Sequence, residues 1–466
     1  MRHDHFRVHP RIASGCQNTV KAAMNRRTPK TGHMQTIAYA SPWVPPEWIA
    51  AHAMRPSWLR LGRKGGTAVS SVGGTPLSGV GGTALGAAKG VSGGPTPLAD
   101  RDVSPHPLVG VRRGVCPFAG ALADAAIAGL DASALVMTTA CDQMRYAAAV
   151  VQQRSRLPMF LLNVPSTWQT PTARQLYRDE LERLGHWLKR LGGRAPSRDD
   201  LAGVMLRYDF ARALLCTSRA QLSGRQFAEA LAAVRGMPAG SNGPGVFFGS
   251  SGATARTPPD PGEYNASSLS GCADGVESPG VTSPKCGCEK PPDREEALYS
   301  PAVSKNDQDA IDGADSPPPG VPLAILGGPL LADDLALLDV IEQSGGRVVL
   351  DATEGGERTL PAALDRSRIP ADPLGELVRA YFDGIPDVFH RPNDRLYRWL
   401  AEQAAARRFR GIVLRRYVWC DLWHAELSRL KERSPVPVLA LDAADGDSGT
   451  ASRTRGRIEA FLEMLR

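Results

Sequence analysis

The chain has 466 residues, 42% of them hydrophobic, and a formal net charge of +7, enough length for two ordinary domains with additional segments. Residues 1–35 carry Arg2, Arg7, Arg11, Lys21, Arg26, Arg27 and Lys30 against Asp4, and the remainder is close to neutral, which excludes a nucleic-acid groove spread over the folded body. No stretch approaches ~18 uncharged apolar residues, so no membrane span is expected, and eight cysteines without secreted-type spacing point to a reducing, cytoplasmic setting.

The chain opens on a basic tail, 1–35, in which Cys16 reads as a free thiol and His3, His5 and His9 as unable to build a catalytic cage. An N-terminal α/β domain is expected over 36–237. Within it, residues 62–105 form a glycine-rich insertion, where GGTAVSSV, GGTPLSGV and GGTALGAA start at Gly65, Gly73 and Gly81. No strand precedes this repeat and no GK[ST] follows, so it reads as a surface insertion and not as a phosphate loop. Two short apolar runs follow, LVMTT (135–139) and MFLLNV (159–164). After them TARQLYRDELERLGHWLKRLGG has apolar residues at helical spacing.

Residues 238–320 are rich in Pro, Gly, Ser and Asp and read as a disordered linker, since little apolar surface is available to offset ordering entropy. Cys272, Cys286 and Cys288 lie in it without a fourth ligand at zinc-finger spacing and read as free thiols. A C-terminal α/β domain is expected over 321–466. Its apolar runs are LAILGG (323–328), RVVLDA (347–352), GIVLRR (411–416) and PVLALD (437–442), and the amphipathic RTRGRIEAFLEMLR closes the chain. Strands buried on both faces, separated by helices, indicate parallel sheets in both bodies.

Ligands of such sheets bind off the carboxyl ends of the strands. Cys141 falls two residues after one expected strand and Cys420 four residues after another, so both are site candidates. Asp142 is expected to N-cap the following helix. Glu47 begins a helix, where the dipole favours its charge. Ser41 is a polar turn residue before Pro42, and Cys216, in FARALLCTSRA, reads as core. His390 and His424 have no evident partner. The chain lacks a convincing GxGxxG after a strand, and it contains no HExxH. It therefore carries no nucleotide-driven electron source of its own.

Several segments together resemble the D-component family of 2-hydroxyacyl-CoA dehydratases, which includes benzoyl-CoA reductase subunits. They are YASPWVPPEWIAAHAMRPSWLRLG, CPFAGA, LVMTTACDQMRYA, LAILGGPLLADDLALLDVIEQSGGRVVLDATEGGER, FRGIVLRRYVWCDLWHAE and the closing RGRIEAFLEML. The resemblance implies two flavodoxin-like parallel-sheet domains holding a [4Fe–4S] cluster, with Cys116, Cys141 and Cys420 as the ligands. It also places Ser41 in a turn near the substrate. Three cysteines leave one iron open, as a Lewis acid and one-electron donor.

The implied reaction removes water from a (R)-2-hydroxyacyl-CoA through a ketyl radical to give a 2-enoyl-CoA. The implied partners are a related second subunit, an ATP-dependent iron–sulfur activator and the acyl-CoA. A benzoyl-CoA reductase-like subunit shares these ligands and stays open as an alternative. So does a non-catalytic, scaffold-like partner, because Gly120 and Ala121 stand where many members carry a basic residue.

Overall fold

The computed structural model describes residues 34–62, 67–68, 114–239, 320–443 and 450–466. Nearly all of the basic tail, most of the glycine-rich insertion and nearly all of the 238–320 stretch lie outside the described residues. With them go Cys16, Cys272, Cys286, Cys288, His3, His5 and His9.

The first body is built from β1 (Thr36–Tyr39), α1 (Pro46–Ala51), β2 (Arg55–Trp58), a short β3–β4 pair (Arg60–Leu61, Thr67–Ala68), α2 (Pro117–Ala128), β5 (Ala134–Thr138), α3 (Asp142–Arg154), β6 (Met159–Leu162) and α4 (Pro171–Arg190). Then come α5 (Arg198–Thr217) and α6 (Gly224–Arg235). The second body comprises β7 (Val321–Gly327), α7 (Ala336–Gln343), β8 (Gly346–Ala352), α8 (Pro373–Val378), α9 (Asp394–Arg407), β9 (Gly411–Tyr417), α10 (Asp421–Arg433), β10 (Val438–Ala443) and α11 (Thr450–Leu465).

Each body carries a four-stranded parallel sheet, ordered β2-β1-β5-β6 in the first and β10-β9-β7-β8 in the second. Numbered within its own body, each sheet reads second-first-third-fourth, the flavodoxin-like order. The strand order reverses between the first and third strands, and the crevice at that point is where such sheets bind ligands. The two sheets therefore offer equivalent crevices, off β1 and β5 in one body and off β7 and β9 in the other.

Local sequence explains the helices. In α4, Tyr177, Leu181, Leu184 and Leu188 recur at four, three and four and are all buried, while Thr170 caps the start by accepting the Ala173 N–H at 3.1 Å. α5 and α6 open with reciprocal capping boxes, Ser197 with Asp200 and Ser223 with Gln226. At the end of β7, an added Cβ on Gly327 would stand 2.0 Å from the Arg415 carbonyl oxygen, so only glycine lets β7 lie this close to β9.

The two bodies share their packing. One apolar cluster joins Ile37, Val136, Leu181 and Phe227 to Leu377, Phe382 and Phe389, and another joins Leu122 and Met137 to Leu331 and Tyr417. α6 packs on β2 and on β8. Its Arg225 pairs with Asp339, and Arg235 donates to the Gly355 carbonyl at 2.7 Å. Arg391 N–H donates to the Ser166 carbonyl at 2.8 Å, tying loops from the two sheets together.

Candidate functional site at the facing sheet ends

All three cysteines occupy the same kind of position. Cys116 immediately precedes α2, Cys141 precedes α3 and Cys420 precedes α10. Cys141 and Cys420 are topological equivalents, each lying between the third strand of its sheet and the following helix. A helix N-terminus presents unpaired N–H groups and the positive end of the macrodipole, and both favour a thiolate. The Cys141 sulfur accepts the Met144 N–H at 3.4 Å. Cys141 is thus the N-cap expected at Asp142, which is instead the first helical residue, turned to Arg145 at 3.2 Å. The extended backbone at Cys141 (φ −151°, ψ 161°) aims its sulfur at the helix N–H groups.

The structure brings these cysteines together. Gln143, two residues past Cys141, accepts the Cys116 N–H at 3.0 Å and donates to the Gly114 carbonyl at 3.5 Å, so the Cys116 segment is strapped to α3. Cys116 belongs to an apolar cluster with Leu331 and Tyr417, and Cys420 packs against that cluster. Gly328 lies beside Cys420, where an added Cβ would stand 3.9 Å from the sulfur and 3.4 Å from the Trp423 ring.

Burial pushes the Cys116 thiol up to about 11 and those of Cys141 and Cys420 up to about 12. Neighbouring backbone N–H groups pull each down by less. Mutual repulsion adds to the rise: Cys141 acts on Cys116, Cys420 on Cys141 and Cys116 on Cys420. The described cysteines form no disulfide. Among the described residues no group of three or more His, Cys, Asp or Glu closes on a single metal ion.

Residues 44–235 and 296–465 match the family model described as 2-hydroxyglutaryl-CoA dehydratase, D-component. The chain belongs to this family. No curated protein matches the chain. Membership in a D-component family implies a further component with which the chain works. Among the described residues no helix is long and apolar enough to cross a membrane.

Ser41 lies on the same sheet edge as Cys141, beyond β1, which pairs directly with β5. It is 4% exposed, and its hydroxyl accepts a hydrogen bond from Thr138 at 3.0 Å. Glu47 is fully buried and paired with Arg212 and Tyr381, a binding partnership inside the protein. Cys216 is half-buried near the end of α5, away from the three helix N-termini. His424 stands 3.3 Å from the Tyr417 carbonyl. His390 is 2% exposed, and neither ring nitrogen has a partner. Trp43, Trp168, Phe382 and Phe389 surround it, and burial pushes it down to about 4.

Thiols held this far above their ordinary value of 9.0 are protonated near neutrality. The metal-free chain is therefore expected to alkylate more slowly at pH 8 than a free cysteine peptide, roughly 100-fold at Cys116 and roughly 1000-fold at Cys141 and Cys420, since the thiolate is the nucleophile. Mass spectrometry after iodoacetamide pulses gives the rates. Alkylation at the free-peptide rate would contradict the burial of these thiols.

Proposed function

We propose that this chain is the iron–sulfur subunit of a 2-hydroxyacyl-CoA dehydratase-type enzyme, holding a [4Fe–4S] group through Cys116, Cys141 and Cys420. The reaction is the removal of water from a (R)-2-hydroxyacyl-CoA to give a 2-enoyl-CoA. A related second subunit and a separate ATP-dependent iron–sulfur activator complete the system.

One observation supports the reading: three thiols from both bodies each stand at a helix N-terminus, with the Cys116 segment strapped to the helix of Cys141 and Cys116 and Cys420 on one apolar cluster. The donor set fits the group. Thiolate sulfur is the ligand iron–sulfur clusters take, and a cluster's edge spaces its cysteines at roughly 6–7 Å, wider than a single-ion site allows. When bound, such a group supplies single electrons and one iron with an open position.

The chain's own residues do the rest. Burial around Cys116 excludes water from a reactive site. The helix N-termini stabilise negative charge on the sulfurs. Ser41 accepts from Thr138, which leaves its own O–H to donate, and it would orient a substrate oxygen from the end of β1.

Anaerobic reconstitution of the full chain with iron and sulfide is expected to give about four irons per chain and broad absorbance near about 400 nm. Reduced activator, second subunit and a 2-hydroxyacyl-CoA should then yield the enoyl product. A chain that takes up no iron would refute the reading. Iron without turnover in the complete system would favour a scaffold-like subunit.

A further inference from the structure

We propose that the segment Phe389–Pro392 is an acid-sensitive latch between the two bodies, with His390 as the group that opens it. The proposal stands apart from the iron–sulfur reading and needs no bound group.

The first argument is where the segment sits. It belongs to the second body and is hooked onto the loop that follows β6 in the first. The Arg391 N–H donates to the Ser166 carbonyl at 2.8 Å, Thr167 and Arg391 form a parallel bridge, and the Trp168 ring N–H donates to the Pro392 carbonyl at 2.9 Å. The same loop is tied to the turn that carries Cys141. There the Thr139 hydroxyl donates to Asn163 at 3.0 Å and accepts the Val164 N–H at 2.9 Å. Opening the latch would therefore loosen one wall of the candidate site.

The second argument is what surrounds His390. Its ring centre lies 4.5 Å from that of Trp43 and 6.2 Å from that of Trp168 in the first body. It lies 5.1 Å from Phe382 and 6.0 Å from Phe389 in the second. Both ring nitrogens are buried without a partner. A neutral imidazole is tolerated in such a box, but an imidazolium would bring a full charge and two N–H donors with no acceptor. The charged groups nearby are already committed. Asp387 binds Arg358 and the Phe389 N–H, Asp383 beside Phe382 pairs with Arg174 of α4, and Glu47 beyond Trp43 pairs with Arg212 and Tyr381. Tyr177 of α4, stacked on Phe382, spends its hydroxyl on the Trp43 carbonyl. Arg395 of α9, 4.9 Å over the Trp168 ring, adds a like charge. Burial outweighs the attraction of Asp387 and pushes His390 from 6.5 down to about 4.

The direction of the pH effect follows. In the opened latch His390 meets water and takes a proton near its ordinary value; in the closed latch it refuses one until far lower pH. The latch is firm above about pH 7 and weakens as pH falls from about 6.5 toward about 4, its opening constant rising roughly 10-fold between about pH 7.5 and about pH 5.5.

The experiment uses the full metal-free chain as wild type, His390→Phe and His390→Gln, with circular dichroism to check folding. His390→Phe keeps an aromatic ring in the box without a titrating group, and His390→Gln removes the titration with a smaller, flexible side chain. Amide hydrogen exchange is followed by mass spectrometry at the two pH values, each rate divided by the intrinsic chemical rate at that pH. In wild type, opening of peptides covering 163–168 and 387–393 should rise roughly 10-fold on acidification, while β7 and β8 keep their protection. In both variants that rise should be absent. An equal rise in wild type and in the folded variants would overturn the proposal. So would a wild-type rise shared by β7 and β8, which would mean global acid unfolding and no latch.

Discussion

Glu47→Ala is expected to destabilise the metal-free protein by about 3–5 kcal/mol, read from the shift in urea midpoint at constant m-value. Glu47 is fully buried at the start of α1, and one carboxylate oxygen accepts from Arg212 on α5 while the other accepts from the Tyr381 hydroxyl at 2.7 Å. Arg212 has a side-chain exposure of 10%, and its second terminal nitrogen already lacks a partner. Removing the carboxylate would leave a guanidinium in the core with no counter-charge and a phenol with no acceptor. The double variant Glu47→Leu with Arg212→Met should cost distinctly less than the sum of its parts, because both charges leave together. A loss below about 1 kcal/mol for Glu47→Ala would mean that water reaches Arg212, contrary to its burial. Tyr381 belongs to the second body, so this network also fixes how the two sheet ends face each other.

The strands behind the site were readable because they are long and apolar. LAILGG, RVVLDA, GIVLRR and PVLALD lie within one or two residues of β7, β8, β9 and β10. β1 and β2 were not read as strands. Each has only four residues, too few for a period to emerge, and β2 is an edge strand containing Pro56, whose missing N–H only an edge tolerates. α5 was read as helical only at its end, in FARALLCTSRA, because apolar and polar residues mix around the rest, with Arg212 among the buried ones. The candidate cysteines were legible partly from strand ends and partly from the family resemblance, since no strand was read from the sequence ahead of Cys116. The error at Asp142 has a simple cause: aspartate outranks cysteine as a cap by propensity, but a backbone already extended at Cys141 decided the matter.

Cys116→Ser, Cys141→Ser and Cys420→Ser are each expected to drop reconstituted iron from about four per chain to below about one, with loss of turnover in the complete system. The reasoning is pre-organisation. Each sulfur is held at a helix N-terminus by the strand or strap that leads into it, so binding needs little further ordering of the chain. A serine hydroxyl keeps the shape but is a far poorer iron ligand than thiolate. Cys272→Ser, Cys286→Ser and Cys288→Ser should leave the iron content unchanged, because a segment so rich in Pro, Gly and Ser would have to lose chain entropy to contribute a ligand. Cys216→Ser serves as the control within the fold, since its thiol is held on α5 away from the facing sheet ends. If iron falls only when the 272–288 cysteines are changed, the ligands lie elsewhere and the facing helix ends serve packing alone.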